Sequence, residues 1–127
     1  LPRPDRSDGL YVNKTCQVLL QVVDHRFRRV VWASCGQPAY ETPNGTGAIF
    51  RKLDGPVEST FYPGAFMYNP MFFLPSRPAI ALHGSATNSL VLPYPASHGC
   101  VRVWRPDIVE IYHESPLGTK VKVYGHY

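Results

Sequence analysis

The sequence predicts a mainly β domain of mixed sheets with one main short α-helix, and three observations carry that expectation. Thirteen prolines are spread along 127 residues, which leaves almost no room for long helices. Short runs rich in β-branched and aromatic side chains recur between clusters of Gly, Pro, Asn and Asp. One stretch, RPDIVEIYHE at 105–114, carries helical periodicity. The length suits a single domain with a modest core, and the composition (44% hydrophobic, 17% charged) is that of a globular protein.

Residues 1–9, LPRPDRSDG, are polar and proline-rich and read as a linker or N-terminal tail, leaving 10–127 as the folded domain. The chain opens on Leu1 with no basic-then-apolar leader, so it reads as a processed or excised fragment. From Leu10 to Val23 the run LYVNKTCQVLLQVV alternates imperfectly, and FRRVVWAS follows Asp24-His25-Arg26. Together they predict a hairpin. With His25-Arg26 as the turn, Asp24 faces Phe27, Leu20 faces Val31, Val18 faces Ala33 and Cys16 faces Cys35. Directly opposed residues lie within disulfide range, so Cys16 and Cys35 are a disulfide candidate, set against two reduced cysteines that pack in the sheet.

GQPAYETPNGTG at 36–47 is loop, and a strand, AIFRKL, emerges from it. The proline-interrupted FYPGAFMYNPMFFLPSRP precedes a short apolar strand, AIALH, at 79–83. In RPDIVEIYHE, Pro106 suits the first turn, Asp107 complements the helix N-terminus, and Ile108, Ile111 and Tyr112 share one face. SPLG stops the helix, and TKVKVYG alternates as a last strand. No run approaches the roughly 18 apolar residues of a membrane span. The net charge of +4 suits loose association with an anionic surface, but no block of five like charges occurs, which favours a merely basic surface and gives nucleic-acid binding little support.

The chemistry concentrates in ASHGCVRV at 96–103. A cysteine becomes a nucleophile where a base or a positive dipole helps its thiolate form. His98 lies two residues from Cys100, and His83 ends a strand one loop upstream. Gly99 lets a substrate carbonyl approach the backbone, where the amides of 98–100 can stabilise an oxyanion, and Arg102 offers a fork for a carboxylate.

His83, the segment GSATNSLVLPYPA, and Ser97-His98-Gly99-Cys100-Val101-Arg102 together resemble the signature of L,D-transpeptidase catalytic domains, the YkuD-like family. Gln17 in the first strand, ETPNGTGAIF at 41–50, FMYNPMFF at 66–73 and LGTKVKVY at 117–124 are similar to other family segments in order and spacing. The resemblance implies a β-sandwich of mixed sheets, with Cys100 as nucleophile, His83 as general base and the Gly84 carbonyl holding the other imidazole nitrogen. It implies that the amides of His98, Gly99 and Cys100 form the oxyanion hole, and that Arg102 orients the substrate or the loop. Ser97, Tyr68 and Asn69 are candidates to border the substrate, set against a packing role for Ser97 and surface packing for the proline-flanked aromatic segment. It further implies peptidoglycan stem peptides as substrates, carbapenem-type β-lactams as covalent inhibitors, an extracytoplasmic location and no cofactor.

A zinc site from His83, His98 and Cys100 has suitable ligand types but no obvious fourth ligand. Papain-type and NlpC/P60-type peptidases place the cysteine before the histidine, the reverse of the order here, and the sortase cysteine lies in a different strand motif. A wall-binding module without activity predicts loss of the catalytic pair, and both members are present. Water as acceptor in place of an amine would make the domain an L,D-carboxypeptidase.

Overall fold

The computed structural model describes residues 7–58, 66–85, 96–97 and 99–126. In chain order the described strands are β1 (Gly9–Asn13), β2 (Val18–Val23), β3 (Arg26–Ser34), β4 (Gly45–Ala48), β5 (Arg51–Lys52), β6 (Pro56–Glu58), β7 (Phe66–Phe72), β8 (Ala81–Ser85), β9 (Val101–Val103) and β10 (Lys120–Tyr124). A 3-10 turn at Pro38–Tyr40 and a helix, α1 (Arg105–Glu114), complete the set. The strands lie in the order β4-β10-β1-β2-β3-β9-β8-β7-β5, with β6 beside β7. The pairs β1–β10 and β8–β9 are parallel, so the sheet is mixed, as expected.

One core joins both halves of this sheet. Leu10, Val12 and Leu19 from one half, Met71, Leu82, Val101 and Val103 from the other, and Ile108, Ile111 and Tyr112 of α1 bury together. Strands at opposite ends of the order can share a core only if the sheet curls around it. The helix begins and ends where its periodicity predicts, and its three apolar positions are the buried ones. Its last residue, Glu114, is gripped by Arg28 (2.7 Å), Arg29 (3.1 Å) and the Gln21 amide (3.1 Å), which ties α1 to the β2–β3 hairpin. At ten residues this helix is far too short to cross a membrane.

The hairpin exists in a different register. Asp24 (φ 53°) and His25 (φ 62°) are both left-handed, which makes them the two central residues of the turn. Val23 therefore pairs with Arg26 and Val22 with Phe27, and an irregularity after Gln21 sets Leu20 against Val30 and Val18 against Trp32. The expected partners, Val31 and Ala33, face the core instead. Nor is 10–23 one strand: β1 and β2 are separate, and Gln17 (φ 55°) closes the turn between them. Cys16 sits in that turn and Cys35 lies beyond the end of β3, and both are free thiols. The Cys16–Cys35 bridge is thus corrected, because the register on which it depended does not form.

Three smaller differences matter for the site. AIFRKL is broken at Ile49-Phe50, where the chain leaves β4, paired with β10, to enter β5, paired with β7. The apolar strand before His83 begins at Ala81, not Ala79. Ser7 and Asp8, read as tail, contact the sheet through the Tyr11 hydroxyl (3.0 Å) and the His25 amide (2.9 Å).

Candidate active site

β8 and β9 run side by side in parallel, with Leu82 opposite Val101, His83 opposite Arg102 and Gly84 opposite Val103. Side chains alternate along a strand. Leu82, Val101 and Val103 enter the main core, and His83, Arg102 and Cys100 share the other face. There Cys100 packs with Met67, Phe72 and Ala81 in a small second apolar cluster edged by Leu53 and Val57. The order β7-β8-β9 thus brings His83 on β8 and Cys100, just before β9, onto one face of the sheet.

Burial decides their resting charge. His83 is 7% exposed and Cys100 5%. Loss of solvation lowers His83 to about 4, helped by the Arg102 charge and opposed by the Gly84 carbonyl. Loss of solvation raises Cys100 to about 11, opposed by the Ala81 backbone amide and by Arg102. At neutral pH the pair is therefore a neutral thiol and a neutral imidazole. His83 Nδ1 lies 2.8 Å from the Gly84 carbonyl oxygen. A carbonyl only accepts, so Nδ1 carries the proton and Nε2 is left as the basic atom.

Gly84 is a glycine for a further reason. A Cβ there would meet Ile108 Cγ2 at 2.9 Å and Arg105 Cγ at 3.0 Å, so its bareness lets the start of α1 lie directly on β8. Gly99 adopts φ 121°, which a side chain would strain. Its amide donates to Ser97 Oγ at 3.1 Å, and the Ser97 hydroxyl donates to the Cys100 carbonyl. The Gly99 amide is thus engaged within the loop, and Ser97, 1% exposed, shapes that loop, which is the packing role weighed for it.

Tyr68 also moves. It pairs with Gly84, on the helix side of the sheet, and the Arg105 guanidinium lies over its ring at 3.9 Å. It buttresses α1 and does not share the Cys100 face. Asn69 (φ 52°) occupies the irregularity of β7, with its amide donating to the Gly55 carbonyl at 3.3 Å, a backbone task that suits Asn. Arg102 stands opposite His83, close enough for its charge to act on both members of the pair. His98 and residues 86–95 lie outside the described residues.

Two supporting residues escaped sequence reasoning. Thr42 Oγ1 accepts the Gly36 amide (2.9 Å) and donates to the Gly99 carbonyl (2.8 Å). Lys14, 1% exposed, donates to the Thr42 carbonyl (2.7 Å) and pairs with Glu41. A threonine before proline and a lysine closing an apolar run were the local signals, and neither marks a contact with the distant motif.

Fold and site define a curled, mixed-sheet domain with a histidine on β8 and a cysteine immediately before the parallel strand β9. A family model, YkuD, the L,D-transpeptidase catalytic domain, matches residues 7–123, and the chain belongs to that family. The chain is similar to an L,D-transpeptidase (residues 123-326) from Xylanimonas cellulosilytica, with 34% identity and a TM-score of 0.82 over 98% of this chain and 64% of that one. It also resembles an L,D-transpeptidase from Stackebrandtia nassauensis (26% identity, TM-score 0.79, covering 94% and 57%). L,D-transpeptidase 3 from Mycobacterium tuberculosis, in complex with a faropenem-derived adduct, shares the fold at 17% identity (TM-score 0.78, covering 90% and 58%). The chain thus spans less than two thirds of each of these structures. No curated protein matches it at a significant level.

Proposed function

We propose that this domain is an extracytoplasmic peptidoglycan L,D-transpeptidase that works by ping-pong acyl transfer through Cys100. The observation that carries the reading is His83 on the same face as Cys100, one strand away, with Nδ1 committed to the Gly84 carbonyl and Nε2 left basic. Membership of an acyltransferase family supports it.

As the Cys100 sulfur attacks the carbonyl carbon of a diamino acid at position three of a tetrapeptide stem, its proton passes to His83 Nε2. The tetrahedral oxyanion collapses, the bond to the terminal D-alanine breaks, and the departing nitrogen takes the proton from the imidazolium. A thioester remains. The amine of a second stem, losing its proton to His83, attacks the thioester, restores the thiol and leaves a 3→3 cross-link. A carboxylate serves serine hydrolases as the group behind the histidine. Here a neutral carbonyl orients the ring without stabilising the imidazolium strongly, which fits a proton that is passed on quickly. β-Lactams offer a strained carbonyl of the same kind, and the faropenem-derived adduct of L,D-transpeptidase 3 supports extending that chemistry to Cys100.

Incubation with tetrapeptide muropeptides, read by mass, tests the reading. Dimers that have lost one D-alanine are the expected products. Monomeric tripeptides alone would make the domain an L,D-carboxypeptidase, and binding without turnover would reduce it to a wall-binding module.

A further inference from the structure

We infer that Thr42 is a positioning residue that aims the Cys100 backbone N–H at the oxyanion of the acyl-transfer step. The inference rests on the acyl-transfer reading above. With the Gly99 amide bonded to Ser97 Oγ, the donor that remains among the described residues of the motif loop is the N–H of Cys100 itself, a nucleophile's own amide being a recurrent oxyanion donor. That N–H belongs to the Gly99–Cys100 peptide. In a trans peptide the carbonyl and the N–H point in opposite directions, so a group that fixes one end aims the other.

Thr42 holds the carbonyl end. Its hydroxyl has one proton, and because the Gly36 amide occupies a lone pair at 2.9 Å, that proton is directed to the Gly99 carbonyl at 2.8 Å. A hydrogen bond accepted by an amide carbonyl also polarises that amide's N–H, so the same contact strengthens the donor it aims. Thr42 is itself fixed. It is fully buried, and buried Lys14 holds its carbonyl at 2.7 Å. The backing is equally rigid: a Cβ on Gly36 would meet the Tyr40 carbonyl oxygen at 2.0 Å and the Gly99 backbone at 2.9 Å. Gly36 pairs with Ser97, whose carbonyl accepts the Gln37 amide at 2.9 Å.

The test compares two reactions at the same sulfur. Acylation by the carbapenem imipenem forms the S–C bond at a carbonyl, develops an oxyanion, breaks the lactam C–N bond and leaves the proton on that nitrogen. Alkylation by iodoacetamide forms an S–C bond, releases iodide and develops no oxyanion. Both adducts are followed on the Cys100 peptide by mass. Thr42→Val is expected to slow acylation about tenfold or more while alkylation stays within about twofold, and Thr42→Ser to acylate near the native rate. Equal slowing of both reactions would make Thr42 a merely structural support and overturn the inference, as would unchanged acylation or a Thr42→Ser protein as slow as Thr42→Val. Should Thr42→Val fail to fold, Thr42→Cys, with a weaker donor of similar size, is expected to give the same split at smaller amplitude. Absence of any imipenem adduct on the native chain would instead overturn the acyl-transfer reading itself.

Discussion

The segments around Cys35 and Cys100 lie against each other and carry much the same thiol environment by the usual measures. Each cysteine is next to a glycine, and a parallel bridge from Gly36 to Ser97 joins them. Each is buried, and burial raises each thiol, to about 12 for Cys35 and about 11 for Cys100. The difference is in their company. Cys35 belongs to the main core, with Sγ directed to the Ala33 carbonyl at 3.5 Å and its amide donating to Gln17 at 2.8 Å. Cys100 lies on the opposite side of the sheet's core layer, on the face that carries His83 and Arg102. Depth and thiol acidity do not separate the two thiols. A base on the neighbouring strand does.

The largest expected effect breaks the comparison outright. Cys100→Ala should abolish turnover and the imipenem adduct, whereas Cys35→Ala should acylate within about twofold of the native rate. Acylation that survives in Cys100→Ala would remove the distinction. His83→Ala comes next, with a loss of about 10³-fold or more in acylation. Because the Cys100→Ala chain has no sulfur to acylate, adding His83→Ala to it should cost nothing further, as single-turnover rates would reveal.

A third test uses pH. With His83 lowered to about 4 and Cys100 raised to about 11, neither group titrates near neutrality, so imipenem acylation should be level from roughly pH 5.5 to 8.5 and fall as His83 gains its proton near 4. An inflection near 6.5 would mean a solvated imidazole. Stability follows the same shifts. The folded chain binds the His83 proton less well than the unfolded chain does, so stability present above about pH 6.5 declines toward pH 4, by about 1.4 kcal/mol per unit from this group. Both thiols have raised values, so their contribution is intact below about pH 9 and declines above it. Denaturant midpoints across pH, compared between native and His83→Ala chains, would isolate the acid limb.

The smallest effect sharpens the comparison from the other side. Cys35→Ala removes one buried sulfur from the core and should destabilise by about 1 kcal/mol, measurable by urea denaturation. Non-reducing peptide maps should recover Cys16 and Cys35 unlinked.

What the sequence disclosed follows a physical line between local and distant information. Helix α1 was readable to its ends because Pro106, Asp107 and the spacing of Ile108, Ile111 and Tyr112 all act within a few residues. ASHGCVRV pointed to the site because its residue types are chemically unusual together. The hairpin register was not readable, since Asp24-His25 takes the left-handed turn that Asn-Gly would have advertised, and the irregularity after Gln21 shifts the count again. The break in β7 likewise put Tyr68 on the helix side, where alternation counted back from Phe72 fails. Thr42 was out of reach for another reason: its bond to Gly99 joins residues 57 positions apart.

The carbonyl behind His83 has one more consequence, for how long the site lasts. Thiolates attack peroxides and disulfides far faster than thiols do. A carboxylate in place of the Gly84 carbonyl would favour a standing thiolate–imidazolium pair, and with it sulfenic acid formation in any oxidising surroundings. In the proposed mechanism, a ring oriented by a neutral group would keep Cys100 chemically quiet between encounters and expose its reactive form only for the duration of an attack.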